Sequence, residues 1–270
     1  MPELPEIETI KRGLETIKNN KIQQVFRSEK KLRIDNDLDL QSLVNQKILS
    51  IDRKARYLLI NLSKNQTLIL HLGMSGRITL NKNFHHLKHD HFACYLSSDE
   101  WLIYNDPRRF GFIDLIENSE ILNHKMLKNL GVEPLSPKFN EKHLEAQLKN
   151  KTSNIKTTLM DNKIVVGVGN IYINESLFDA RISPLRNANS LNKNELKKLV
   201  ASIKKIIANA IEMGGSSISD YQNTRGELGF FQNSHKVYDR NNQKCFDCDC
   251  NIERIVQNQR SSFYCKICQK

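Results

Sequence analysis

The feature that most limits what this chain can become lies near its end. Cys245-Phe-Asp-Cys248 is followed, after sixteen residues, by Cys265-Lys-Ile-Cys268. Two C-x2-C knuckles at that separation have the spacing of a four-cysteine zinc ribbon. Thiolates select zinc, and a tetrahedral ion can hold a ribbon too small to bury a core of its own. Four thiolates leave no open coordination position, so the expected ion is one structural Zn2+ and not a catalytic one. Cys250, two residues after Cys248, competes as a ligand. Cys94 sits in an apolar run and reads as a small buried hydrophobe. Between the knuckles lie Arg254 and Arg260, with Gln257, Asn258 and Gln259. A ribbon tip carrying arginine and amides fits phosphate and base contacts, and it fits a solvated hairpin equally well.

A metal reading of the cysteines requires a reducing compartment. The N-terminus lacks the apolar core of a signal peptide, and no apolar run approaches a membrane span. The expected location is the cytoplasm, with nucleoid association in a bacterium. Lys and Arg number 41 against 30 Asp and Glu, a net charge of +11. That excess calls for a polyanionic partner, nucleic acid before an anionic membrane surface. The 270 residues allow two domains, or one with a small appendage.

The chain begins Met1-Pro2-Glu3-Leu4-Pro5-Glu6. Loss of Met1 would expose Pro2 as a secondary amine. An α-amino group titrates near 7.7–8.0, so part of it is unprotonated and nucleophilic at neutral pH. Glu3 and Glu6 place carboxylates beside it, as acid–base work requires. The same six residues also describe an ordinary helix start, with Pro5 in the first turn and Glu6 facing the dipole. From Pro5, the residues Ile7, Ile10, Leu14 and Ile17 form one stripe of an amphipathic helix. Strand-like runs follow at 48–51, 57–62, 67–72, 91–96, 101–104 and 110–116, and predict a β-sandwich or barrel ending near Gly131.

The second half changes period. Asn140–Leu148 reads as a helix, and so does Asn192–Met213. In the latter Leu196, Leu199, Val200, Ile203, Ile206, Ile207, Ala210 and Ile211 form a stripe. Asn192 and Glu195 make a capping pair, and Gly214-Gly215 end the helix. Between these helices, Ile164–Asn174 (IVVGVGNIYIN) describes a tight turn whose amides could serve the helices or hold a phosphate. The polar stretch 215–231 is either a linker or a functional lid.

Taken together these pieces resemble the bacterial formamidopyrimidine-DNA glycosylase family. The matching residues are MPELPEIET at the start, HLGMSG at 71–76, KHDH at 88–91 and DPRRFG at 106–111. LMDNKIVVGVGNIYINESLF at 159–178, the GGSSISDY loop and the CxxC…QRSSFYCxxCQ terminus complete the set. The resemblance implies an α+β multidomain fold. An N-terminal helix and β-sandwich (1–132) precede a linker and first helix (133–150). A helix–two-turn–helix domain (151–235) carrying a lesion-capping loop (216–226) and the zinc ribbon (236–270) follow. It implies a monomer acting on double-stranded DNA that contains oxidised purines such as 8-oxoguanine and formamidopyrimidines, with no membrane partner.

The resemblance also assigns roles. Pro2 is the nucleophile at C1′ and forms a Schiff base, Glu3 the acid and Glu6 a supporting carboxylate. Strand cleavage follows by β- and then δ-elimination. Met74, Arg108 and Phe110 fill the gap left by the flipped base. His91, Lys156, Asn170 and Arg260 contact DNA. Ser217, Tyr221 and Thr224 belong to the loop over the lesion, and Cys245, Cys248, Cys265 and Cys268 hold zinc. Three positions depart from the family pattern. Arg56 replaces the usual lysine of a KYLL context; it can hold a phosphate but cannot transfer a proton near neutral pH. Asp249 replaces a glycine of the knuckle, where strain is expected, and Cys250 is additional. The competing readings are a non-cleaving binder of damaged DNA and an oxidised-pyrimidine glycosylase of the endonuclease VIII branch.

Overall fold

The structure, a computed structural model, describes residues 2–34, 38–217 and 222–270. Met1 and Tyr221, both named above, lie outside the described residues. The chain divides into two compact units. One comprises Met1–Lys128 with Gly214–Phe230, the other Asn129–Met213 with Phe231–Lys270.

The first unit opens with helix α1 (Leu4–Leu14). Pro5 lies in its first turn, and the Glu6 carboxylate reaches back to accept the Glu3 N–H at 2.7 Å, so one of the orphan amides of the helix start is satisfied. Lys11 and Arg12 occupy the last turn, where cations suit the dipole. Ile7, Ile10 and Leu14 are buried, as the stripe predicts. Among the described residues eight strands follow: β1 (Ile22–Arg27), β2 (Ile48–Lys54), β3 (Tyr57–Leu62), β4 (Gln66–His71), β5 (Arg77–Asn81), β6 (Asp90–Leu96), β7 (Trp101–Asn105) and β8 (Phe112–Glu117). They form two antiparallel four-stranded sheets, ordered β1-β6-β7-β5 and β2-β3-β4-β8. Leu58, Ile60, Leu68 and Leu70 from one sheet share a single core with Ile78, Phe92, Leu102 and Tyr104 from the other, which makes the pair a sandwich.

Two strands escape a reading by apolar runs. β1 (IQQVFR) and β5 (RITLN) carry few apolar residues and pair through the backbone with β6 and β7. The last run begins later than its apolar residues indicate. Phe110 and Gly111 lie in the loop that follows the Asp106–Arg109 turn, and β8 starts at Phe112.

The second unit contains α2 (Glu141–Leu148), α3 (Ile155–Leu159), α4 (Asn170–Asp179), α5 (Lys193–Glu212) and a hairpin of β9 (Glu253–Gln257) and β10 (Arg260–Tyr264). Asn140 caps α2 by accepting the His143 N–H at 3.0 Å, and Asn154 caps α3 by accepting that of Thr157 at 2.8 Å. Asn192 and Glu195 form the expected capping box on α5. Leu196, Leu199, Val200, Ile203, Ile207, Ala210 and Ile211 are buried along that helix, while Ile206 is only partly so. Among the described residues no helix is long and apolar enough to cross a membrane.

Candidate functional site

In the first unit the carboxylates Glu3 and Glu6 are buried, at 4% and 2% exposure, and Pro2 beside them is buried too. A buried carboxylate is tolerated only with hydrogen-bond donors around it. Glu6 has two from the backbone: the Glu3 N–H on Oε2 at 2.7 Å and the Ser216 N–H on Oε1 at 2.8 Å. The second donor comes from the start of the polar segment, so the helix that begins the chain and the segment 214–230 meet at one carboxylate. Arg53 fixes the same helix to the sheet, giving its Nε to Glu8 at 2.7 Å and an Nη to the Ala55 carbonyl at 2.9 Å. Ala55 is in the left-handed region, φ +54°, at the tip of the β2–β3 hairpin, and Arg56 follows it.

A second arrangement of this unit joins HLGMSG and DPRRFG, which are distant in sequence. Asp106 is fully buried and acts as the staple. Its Oδ1 accepts Ser75 Oγ–H at 2.7 Å and the Arg108 N–H at 3.3 Å, and its Oδ2 accepts the Gly111 N–H at 2.8 Å. Gly73 has φ +59°, and a Cβ there would stand 2.4 Å from the Gly111 nitrogen, so only glycine lets the turns approach this closely. The result places Met74 and Phe110 on one recess with Arg33, His71 and Gly73. The Arg108 guanidinium lies 4.8 Å from the Phe110 ring centroid, and Phe110 is 45% exposed. The structure therefore brings Met74, Arg108 and Phe110 together. His91 is placed differently, buried beneath the turn. One ring nitrogen lies 3.0 Å from the Asp106 carbonyl oxygen and the other 3.0 Å from Ser28 Oγ.

Burial, reinforced by the charges of Arg56 and Arg33, pushes the pKa of His71 down from 6.5 to about 4. At neutral pH its ring is uncharged, and Nδ1 accepts the Gly73 N–H at 3.2 Å. The unfolded chain takes up this proton near 6.5 and the folded chain only near 4. Stability from this group is therefore complete above the unfolded value and falls as pH drops through that window, by on the order of 3 kcal/mol at most. His71→Gln should lose less stability than the parent between neutral pH and the lower end of the window. Chemical denaturation at the two pH values measures this, and equal losses would refute it.

In the second unit, α4 begins at Asn170 behind a Gly169 in extended conformation, and its first amides point out of the helix as at any helix start. Asn170 Nδ2 donates to the Ser261 carbonyl at 3.0 Å, and the fully buried Lys156 gives its Nζ to the same oxygen at 3.4 Å. One turn on, Asn174 Oδ1 accepts the Phe263 N–H at 2.7 Å. The β9–β10 turn has Asn258 and Gln259 both at positive φ, as a tight two-residue hairpin requires. Arg260, exposed beside it, lines an open recess with Asn170, Arg254 and Gln259. An N-terminal helix end with basic and amide side chains around it suits an anionic oxygen.

The sulfurs of Cys245, Cys248, Cys265 and Cys268 all lie within 4.8 Å of one another. Zinc–sulfur bonds of about 2.3 Å in a tetrahedron put sulfurs near 3.8 Å apart. The 3.9 Å between Cys245 and Cys268 and the 3.4 Å between Cys248 and Cys265 suit such an ion with little adjustment. Cys250 is outside the cluster among the described residues, and its carbonyl accepts the Cys245 N–H at 2.8 Å. Asp249 does not adopt the left-handed conformation, so the strain expected of it is not found. Cys94 is buried as expected, and burial pushes its thiol up to about 12.

Reading of the sequence missed Glu175. It lies buried on α4 and accepts the N–H groups of Lys236, Val237 and Tyr238 at 2.8, 3.0 and 2.8 Å. It thereby ties the segment leading into the ribbon to the helix. Burial raises its pKa, and the three amides oppose the rise. Glu175→Gln would turn an amide NH2 toward one of these donors, at a cost of about 1–3 kcal/mol. A lowered thermal midpoint is the expected result, and an unchanged one contradicts this account of the tether.

Residues 1–113 match the family model described as Formamidopyrimidine-DNA glycosylase N-terminal domain, and residues 130–222 match the Formamidopyrimidine-DNA glycosylase H2TH domain. The chain is 47% identical over 273 residues to the formamidopyrimidine-DNA glycosylase of Vesicomyosocius okutanii and 43% identical over 286 residues to that of Dinoroseobacter shibae, in each case over 100% of both chains. Among solved structures, it is similar to a Lactococcus lactis FPG mutant in complex with a Fapy-dG containing DNA, with TM-score 0.92, 34% identity and 100% of both chains covered. It is also similar to the MutM (FPG) protein of Thermus thermophilus, with TM-score 0.88 and 34% identity, covering 99% of this chain and 98% of that one.

Proposed function

The chain belongs to the formamidopyrimidine-DNA glycosylase family, and from that membership we propose that it excises oxidised purines from double-stranded DNA and then cuts the strand at the resulting abasic site. The observation that carries this reading is the buried Pro2-Glu3…Glu6 set, with the Glu6 carboxylate held by two backbone donors. A protein that only bound DNA would have no use for an amine flanked by buried acids.

With Met1 removed, the Pro2 nitrogen attacks C1′ of the damaged nucleotide. The C1′–N9 bond breaks, and the departing base takes a proton from Glu3. As the C1′–O4′ bond opens, the proton on the attacking nitrogen passes to the ring oxygen and an iminium is left at C1′. That electron sink acidifies the C2′ hydrogen, and loss of this proton expels the 3′ oxygen, then by the same logic the 5′ oxygen. Hydrolysis of the iminium frees the amine.

Extruding the base costs a few kcal/mol of stacking. Phe110, half-exposed under the Arg108 guanidinium, and Met74 beside it have the shape and chemistry to refill the stack, with Arg108 donors available to the unpaired partner base. His91 supports this turn from below through the Asp106 carbonyl. Arg56, with a planar guanidinium suited to bidentate contact, serves as a phosphate anchor only. Arg260, Asn170 and the start of α4 form a second phosphate site. Lys156 contributes there by holding Ser261. Ser217 and Thr224 belong to the segment that adjoins the flipped base, and the protein acts as a monomer. The four thiolates would hold one structural Zn2+, which ties the knuckles together and takes no part in the reaction.

The test is excision from duplexes that differ only in the lesion. Release of 8-oxoguanine should exceed that of thymine glycol by tenfold or more. The reverse order would move the chain to the pyrimidine-specific branch, and tight binding without release would make it a binder of damage.

A further inference from the structure

Helix α1 carries a glycine in its last turn, at Gly13, one residue before its end, where alanine would be the better helix former. The space left by its missing side chain is occupied. A Cβ at Gly13 would stand 2.3 Å from Thr224 Oγ1, 3.2 Å from its Cγ2 and 3.3 Å from its Cβ. Thr224 is buried at 2% exposure, so it has little room to swing aside. Its carbonyl accepts the Leu80 N–H at 3.0 Å, which fixes it to β5 as well. The turn that presents Thr224 is self-bonded, because Asn223 Oδ1 accepts the Arg225 and Glu227 N–H groups at 2.9 and 3.0 Å.

Seven residues earlier on the same helix stands Glu6, and two full turns put both positions on one face. There the other end of the segment is fastened. Ser216 N–H donates to Glu6 at 2.8 Å, and a Cβ at Gly215 would stand 2.7 Å from that carboxylate. The two ends of the segment are joined to each other, since Gly229 N–H donates to Ser217 Oγ at 2.9 Å. One face of α1 thus carries a carboxylate and a notch, with Ser216 at the one and Thr224 at the other.

We propose that Gly13 is a positioning residue: its notch seats Thr224 and so sets the placement of residues 214–217 and 222–230 against a flipped base. This rests on the reading of the chain as a base-excising enzyme. Excision, which needs the base held, depends on the notch. Cleavage of a preformed abasic site, which has no base to hold, does not.

The experiment compares the full-length protein with Gly13→Ala, Thr224→Ala and the double variant. Single-turnover excision of 8-oxoguanine and cleavage of an abasic duplex are measured together with amide hydrogen exchange at Leu80. Gly13→Ala should slow excision at least tenfold, leave abasic cleavage within twofold, and speed exchange at Leu80 about tenfold. Because Thr224→Ala removes the two nearest atoms, the double variant should excise no more slowly than Thr224→Ala alone. Excision by Gly13→Ala at the parental rate overturns the proposal. So does an equal loss of both activities, or a double variant worse than each single. If the parent cuts abasic DNA but releases no 8-oxoguanine, the functional reading fails, and exchange at Leu80 still decides whether the notch seats the segment.

Discussion

Blocking the amine of Pro2 should abolish strand cleavage while leaving affinity for damaged duplex within a few-fold. In the proposed mechanism the Pro2 amine is the nucleophile. A lysine needs burial or a neighbouring cation to be unprotonated at neutral pH, whereas an α-amine titrating near 8 needs neither. A retained Met1 turns the Pro2 nitrogen into an amide with no basic lone pair. The expected loss is at least a thousandfold, equivalent to about 4 kcal/mol of barrier. Pro2→Gly is the weaker control, since glycine keeps an amine. The informative comparison is between protein with Met1 removed and the same chain with one residue added before Pro2, each verified by intact mass. Binding should survive because Arg108, Phe110 and Arg260 are untouched. Equal cleavage by the two forms would remove Pro2 from the mechanism.

The second large effect concerns the ribbon. Cys265 is fully buried, in a small cluster with Phe178, Val237, Cys245, Ile252 and Phe263. Such a cluster is too small to order the hairpin by itself, and structural zinc supplies on the order of 10 kcal/mol to sites of this kind. Cys265→Ser should therefore lose zinc and disorder the hairpin. Arg254 and Arg260 go with it, as does the Ser261 carbonyl that holds Lys156 and Asn170. DNA affinity should fall at least a hundredfold with metal content near zero. Cys250→Ser, whose sulfur is outside the cluster, should keep both. Zinc lost from Cys250→Ser and retained in Cys265→Ser would reverse the ligand assignment.

What could be read from the sequence was what is local and periodic. The C-x2-C pairs declare themselves because ligand spacing is fixed by the metal. The stripe of α5 and its Asn192 cap follow from a 3.6-residue repeat. Helix α1 was legible for the same reason, although its first six residues described a helix start as well as a nucleophile, and the structure shows them serving as the former. β1 and β5 were not legible, because edge strands held by backbone pairing need few apolar side chains. Phe110 looked like a strand residue because it is apolar, yet it is exposed on a loop that Asp106 shapes from several residues away. Neither Asp106 nor Glu175 carries a local signal. Each is a single acid whose partners are backbone amides, and only the folded chain shows which amides those are. The Gly13 notch is legible only once the segment that fills it is seen.

An 8-oxoguanine duplex is incubated with the protein and borohydride, and the trapped adduct is digested and mapped by mass. Reduction of the iminium should leave the sugar remnant on the Pro2 nitrogen, in the N-terminal peptide and in stoichiometric yield. An adduct mapped to a lysine elsewhere, or base release with no adduct at all, would contradict the account.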